Sequence, residues 1–158
     1  MGEVLKDIVV PDMIEAIRAY RLVIKKKLIR PTYRPLHMIV EEDYEVGRWY
    51  DAICCVKDRV TQHDAPDPDC MCGFYSLKAI EQFMGLRNIR YALSAAEQSA
   101  ARLVEVDIAG RVIEGEFGYR SGRMKIVEVY SRLQTLNHFQ KVADEKMREL
   151  KEACNEKR

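Results

Sequence analysis

The chain has 158 residues, of which 47% are hydrophobic and 32% charged, enough for a single domain that buries its own core. Lysine plus arginine (26) nearly cancel aspartate plus glutamate (25), leaving a net charge of +1. That excludes a bulk field for a polyanionic partner and leaves any such contact to local patches. The first residues, Met1 to Lys6, lack a basic stretch followed by an apolar core, and no apolar run reaches the roughly 18 residues that a bilayer requires. A soluble, cytoplasmic chain with no membrane contact is expected.

In chain order, residues 8–24 are ambiguous between a helical and a strand period. A short helix or turn followed by a strand from about Ala16 is favoured. Lys25, Lys26 and Lys27 fall at a hairpin bend, and residues 28–30 begin a return strand before Pro31 and Pro35 interrupt it. Residues 34–49 read as loop and edge strand. The prolines and aspartates of the next segment cannot continue a helix or a central strand, so a rigid loop is expected there. Gly73, Phe74, Tyr75 and Ser76 then form a short extended exit into a helix over 77–86. Ser94, with Glu97 three residues on, predicts a capped helix through Ala101. Residues 103–108 alternate as a strand, Gly110 permits a bend or bulge, and 111–116 continue the strand. From Val127 onward there is no glycine or proline, and a helix is predicted. Its stripe of Leu133, Leu136, Phe139, Val142, Met147 and Leu150 serves either packing on the domain or a short coiled-coil or partner contact.

Four of the five cysteines lie at 54, 55, 70 and 72, with His63 between them; Cys154 stands apart in a charged tail. In a reducing compartment such clustering points to metal more than to disulfides. Cys54 or Cys55 with His63, Cys70 and Cys72 supplies four soft donors, a complete ligand set for structural zinc. A catalytic zinc would need an open position, which four protein donors do not leave. Cys70 or Cys72 beside His63 could also form a nucleophile and base, although no third orienting residue stands out. The one dense basic stretch comprises Arg18, Arg21, Lys25, Lys26, Lys27, Arg30 and Arg34, interleaved with Tyr20 and Tyr33. It is a candidate face for nucleic acid or a protein partner, or a solvated hairpin that protects an edge strand.

The set Arg18-Ala-Tyr20-Arg21, Trp49, the upstream Cys, His63-x-Ala-Pro66-x-x-x-Cys70-x-Cys72-Gly73-Phe74-Tyr75, Gly110-Arg-Val-Ile-Glu114 and Gly118-Tyr-Arg120 resembles a family of small, uncharacterised bacterial and phage proteins. Those relatives carry an HxAPxxxCxCGIYA-type loop and a GRVxExxxGYRA-type element. The resemblance covers residues 16–125, with Tyr20, Phe74 and Ser121 replacing the usual tryptophan, isoleucine and alanine. It implies the architecture, the ligand loop and a phage or mobile-element setting, and carries no reaction. A looser resemblance links Arg18 or Arg21, the Gly73 to Ser76 segment and Glu114 or Glu116 to ADP-ribosyltransferase folds, which would imply an enzyme using NAD. Arg120 could bind an anion or pair with Glu116.

Together these readings predict an α+β domain over 1–130, a curved and mostly antiparallel sheet flanked by helices with a zinc-stapled loop at 54–72. A C-terminal helical extension follows over 131–158. The expected function is a non-enzymatic binding or adaptor module, and the alternative is the NAD-using enzyme.

Overall fold

The computed structural model describes residues 5–11, 16–26, 31–35, 43–54, 63–80 and 99–157. Its strands are β1 (Lys6–Val10), β2 (Ile17–Lys25), β3 (Tyr33–Pro35), β4 (Trp49–Asp51), β5 (Phe74–Leu77), β6 (Ala101–Glu114) and β7 (Gly118–Val129), followed by helix α1 (Arg132–Glu156). All of the strand pairings are antiparallel.

The hairpin of β6 and β7 is the frame, closed by a turn in which the Gly115 amide donates to the Gly118 carbonyl at 2.9 Å. β2 runs along the open edge of β6, from the Ile17↔Ile108 pair to Ile24↔Ala101. β5 lies on the far edge of β7, from Phe74↔Ser121 to Leu77↔Gly118. A single further pair, Tyr20↔Leu77, joins β5 back to β2. The ring β2, β6, β7, β5 is thereby a closed four-strand barrel, with β1 added to β6 and β4 to β7. β3 returns antiparallel on β2, starting at Tyr33; Lys25, expected at a bend, is the last residue of β2 and pairs with Tyr33, and the rest of the expected bend from Lys27 lies outside the described residues.

The strands form where apolar residues alternate. Ala19 and Val23 of β2, Val104, Val106 and Ile108 of β6, and Met124 and Ile126 of β7 are all buried. Each larger apolar side chain contributes about 1.5–3 kcal/mol by leaving water. Tyr44 completes the core, meeting Phe74 edge-on at 5.7 Å and Tyr50 at 4.4 Å. Gly110 has φ +76°, where side-chain-bearing residues are strained, and the register shifts between Ala109 and Val112. This bend, expected from the sequence, separates the half of β6 that takes β2 from the half that takes β1.

Several local expectations are corrected. Residues 8–10, read as helix or turn, belong to β1, because their partners on β6 outweigh the helical spacing. Leu77 ends a strand instead of starting a helix, and Ala101 opens β6, although Ser99 and Ala100 are helical. Val127 lies in β7, and the C-terminal helix begins at Arg132. The expected return strand at 28–30, most of the helix at 77–86 and the Ser94 cap lie outside the described residues.

A capping box is formed by Ser131 and Gln134 at the C-terminal helix: the serine hydroxyl accepts from the Gln134 amide at 3.1 Å, and the Gln134 side chain accepts from the Ser131 amide at 2.7 Å. One turn on, buried Thr135 accepts the Leu103 amide of β6 at 3.1 Å and donates to the Ser131 carbonyl at 2.8 Å. The early helix is thus bonded to the barrel, while Met147 and Leu150 farther along are exposed. No helix among the described residues is long and apolar enough to cross a membrane. Thr135→Val should leave the buried Leu103 amide without an acceptor and lower stability by about 1–3 kcal/mol. Urea denaturation should show this as a lower midpoint with an unchanged slope.

Candidate metal centre

Two segments meet against β7: the exit of β4, through Cys54, and the loop of residues 63–73 that enters β5. The loop is shaped by short-range bonds. The Asp67 carboxylate accepts the Asp69 amide at 2.8 Å, and its carbonyl accepts the Cys70 amide at 3.1 Å, which turns the chain sharply before the Cys-x-Cys pair. Pro66, reached through a cis peptide, is fully buried.

Two glycines allow the loop to seat. Gly73 has φ +109°, and a Cβ there would lie 2.8 Å from the Pro66 side chain. At Gly122 of β7 a Cβ would stand 2.9 Å from the Ala65 carbonyl oxygen.

One side chain holds the loop's backbone. Arg120 of β7 donates through Nη1 to the carbonyls of Asp67 (3.2 Å), Cys72 (3.3 Å) and Cys70. Its guanidinium also lies 5.9 Å from the centre of the Tyr75 ring, and the Tyr75 hydroxyl donates to the Met71 carbonyl at 2.8 Å. Sequence reasoning assigned Arg120 to an anion or to Glu116. Its contact with the loop depends on β5 and β7 pairing Tyr75 opposite Arg120. The available signal was the joint presence of the loop motif and the Gly118-Tyr-Arg120 element in one resemblance.

The result is a cluster of Cys54, His63, Cys70 and Cys72 whose ligand atoms all lie within 4.8 Å of one another. The Cys54 and Cys70 sulfurs are 3.7 Å apart, and the Cys72 sulfur is 3.4 Å from His63 Nε2. A tetrahedron built on metal–sulfur bonds of about 2.3 Å and metal–nitrogen bonds of about 2.0 Å has S···S edges near 3.8 Å and S···N edges near 3.6 Å. The donor set could therefore hold one metal ion, and the sulfurs are too far apart for a disulfide. Of the two adjacent cysteines, Cys54 joins the cluster, and Cys55 lies outside the described residues.

Burial raises the Cys70 thiol, but hydrogen bonds from the Cys72 amide, Cys54, Cys72 and His63 outweigh it and bring the pKa down to about 7. Burial pushes its neighbour Cys72 up to about 11, despite a backbone hydrogen bond that favours its thiolate. The pair therefore shares one easily lost proton. Cys72 touches His63, and burial favours its neutral thiol form.

The basic stretch is not assembled into one face among the described residues. Arg21, expected on a contact face, is 4% exposed and donates to the Tyr75 carbonyl inside the barrel. Burial lowers its pKa to about 10, and it stays charged at neutral pH. The alternation of β2 turns residue 21 inward, and this overrides the residue's own polarity. Arg18 is outward but bonded to Glu105 at 2.6 Å and Asp107 at 2.9 Å. Lys25 and Lys26 are half-buried, Lys27 and Arg30 lie outside the described residues, and Arg34 pairs through its backbone with Ile24. Of the residues in the NAD-enzyme reading, Tyr75 is a rim aromatic and Glu114 pairs with Lys78 at 2.8 Å.

Fold and site together define a small antiparallel β-barrel with a three-cysteine, one-histidine cluster in a loop against β7, close enough to hold a metal ion. No family model, curated protein or solved structure matches the chain.

Arg120→Met should retain the barrel, as read by far-ultraviolet circular dichroism, yet weaken metal binding by about 10–100-fold, because ligands lose their outer support. Competition with a chromophoric chelator measures this. Metal binding displaces protons from the thiols, so the apparent affinity should rise with pH between about 6 and 8, about tenfold per unit for each proton displaced. The same competition at stepped pH gives the slope.

Proposed function

We propose that this chain is a non-enzymatic binding module in which one zinc ion staples the β4 exit and the 63–73 loop onto the barrel. The observation that carries this reading is the donor set: three thiols and one imidazole within 4.8 Å of one another, with the Cys54–Cys70 and Cys72–His63 pairs at 3.7 and 3.4 Å. Such a set suits zinc and leaves no position for a water or substrate, which marks structural sites. The ion supplies charge to hold thiolates together, and the chain supplies everything else. Cys54 joins the loop to β4, His63 fixes its start, Cys70 and Cys72 fix its end, and Arg120 carries the backbone between them.

A protein partner is favoured over nucleic acid. The charges on the outer sheet face compensate one another: Arg18 with Glu105 and Asp107, Lys125 with Asp107, Arg123 with Asp51, and Arg111 with Asp7. Cations already paired in this way contribute little to a phosphate track, whose affinity comes from releasing counterions.

Elemental analysis of protein purified under reducing conditions without chelator should give about one equivalent of zinc per chain. Cys72→Ser should lose most of the metal and lower the melting temperature. Metal-free wild-type protein, or full loading of the variant, would reject the ligand set. Binding to duplex or single-stranded DNA that weakens steeply with salt would instead restore the nucleic-acid reading.

A further inference from the structure

The staple positions more than its ligands. Ile53 is 69% exposed beside Cys54, and Met71 is 70% exposed between Cys70 and Cys72. Tyr75 is 41% exposed, with its hydroxyl bonded to the Met71 carbonyl. Ile53 and Met71 are each one residue from thiols whose sulfurs lie 3.7 Å apart. Large apolar side chains fixed in water by a metal cluster have already lost backbone freedom, so binding through them requires little further ordering.

The loop that carries Met71 into Tyr75 is acidic. Residues 63–77 contain Asp64, Asp67 and Asp69 and no lysine or arginine. Asp64 and Asp69 are exposed. Three thiolates around one divalent ion add a further net negative charge. Of the nearby cations, Arg120 is directed at the loop's own carbonyls, and Arg111, close enough to interact with Asp67, is paired with Asp7.

We infer that Ile53, Met71 and Tyr75 form the docking surface of this module, and that its occupant is a segment of another protein presenting apolar side chains between lysines or arginines. The inference rests on the zinc-stapled reading above and names the partner chemistry for it. Apolar contact supplies the anchor: methionine adapts to varied shapes, and tyrosine adds rigid area. The acidic rim selects basic flanks and speeds encounter, so it acts mainly on association rate and salt dependence.

The test is selection of a random peptide library on the zinc-loaded full chain, with Met71→Glu and Ile53→Ser as separate counter-targets and zinc content measured for each protein. Enriched peptides should combine apolar residues with lysine or arginine. They should bind each variant at least tenfold more weakly while its zinc content is unchanged, and binding should weaken with salt and on Asp64→Asn. Acidic or uncharged winners, or peptides that bind both zinc-loaded variants as well as the parent, would overturn the inference and leave the staple standing. The absence of any peptide that discriminates parent from variants would also overturn it, as would loss of self-association or DNA binding in the variants as their only change. A zinc-free parent whose peptide binding still depends on Met71 would instead sink the staple and keep the docking surface.

Discussion

One guanidinium group joins the two halves of this molecule. Arg120 stands on β7, which is paired to β6 on one edge and to β5 and β4 on the other, and it donates to carbonyls at three positions of the ligand loop. A loop of prolines and aspartates has few apolar side chains with which to pack. Its carbonyls nevertheless need donors when they turn inward, and one arginine with its fork of N–H groups can serve several at once. The ligands Cys70 and Cys72 are consequently held from the strand side as well as through any metal they bind.

The same strand explains how a small barrel can carry such a site. β7 gives up side chains where the loop approaches: Ser121 and Gly122 are small, and Gly122 leaves room for the Ala65 carbonyl. β6 bends at Gly110 so that its edge away from β7 serves two partners, and closure then needs only the Tyr20↔Leu77 pair. Among the described residues the interior accepts one charge, Arg21, whose guanidinium reaches the Tyr75 carbonyl. That bond spans the β2 to β5 seam where the ladder is shortest and ties the base of the loop's exit strand to the opposite wall. Such a buried group is expensive to desolvate, and its hydrogen bonds offset the cost only in this arrangement.

The legible parts of the sequence were those set by local chemistry. The ligand types and their stiff loop were readable because few other roles concentrate cysteine, histidine and proline in this way. The β6 alternation and its bend at Gly110 were readable because strand period and glycine are short-range signals. β7 carries little strand signal of its own because its first half, Tyr119 to Arg123, is polar and glycine-containing. It is a strand because three neighbours supply hydrogen bonds to it. Val127 to Val129 suit either element in isolation, so the sequence alone predicts an earlier helix start.

By itself the sequence determined the antiparallel α+β class, the cluster of candidate metal ligands and the C-terminal helix, since composition and period act over a few residues. Tertiary structure decided that the sheet closes on itself, that Cys54 joins the cluster, that Arg21 faces inward and that Arg120 holds the loop. Each of these depends on which strands become neighbours. Strand pairing brings together residues about fifty positions apart, such as Arg120 and the loop carbonyls, and no local signal encodes such a distance.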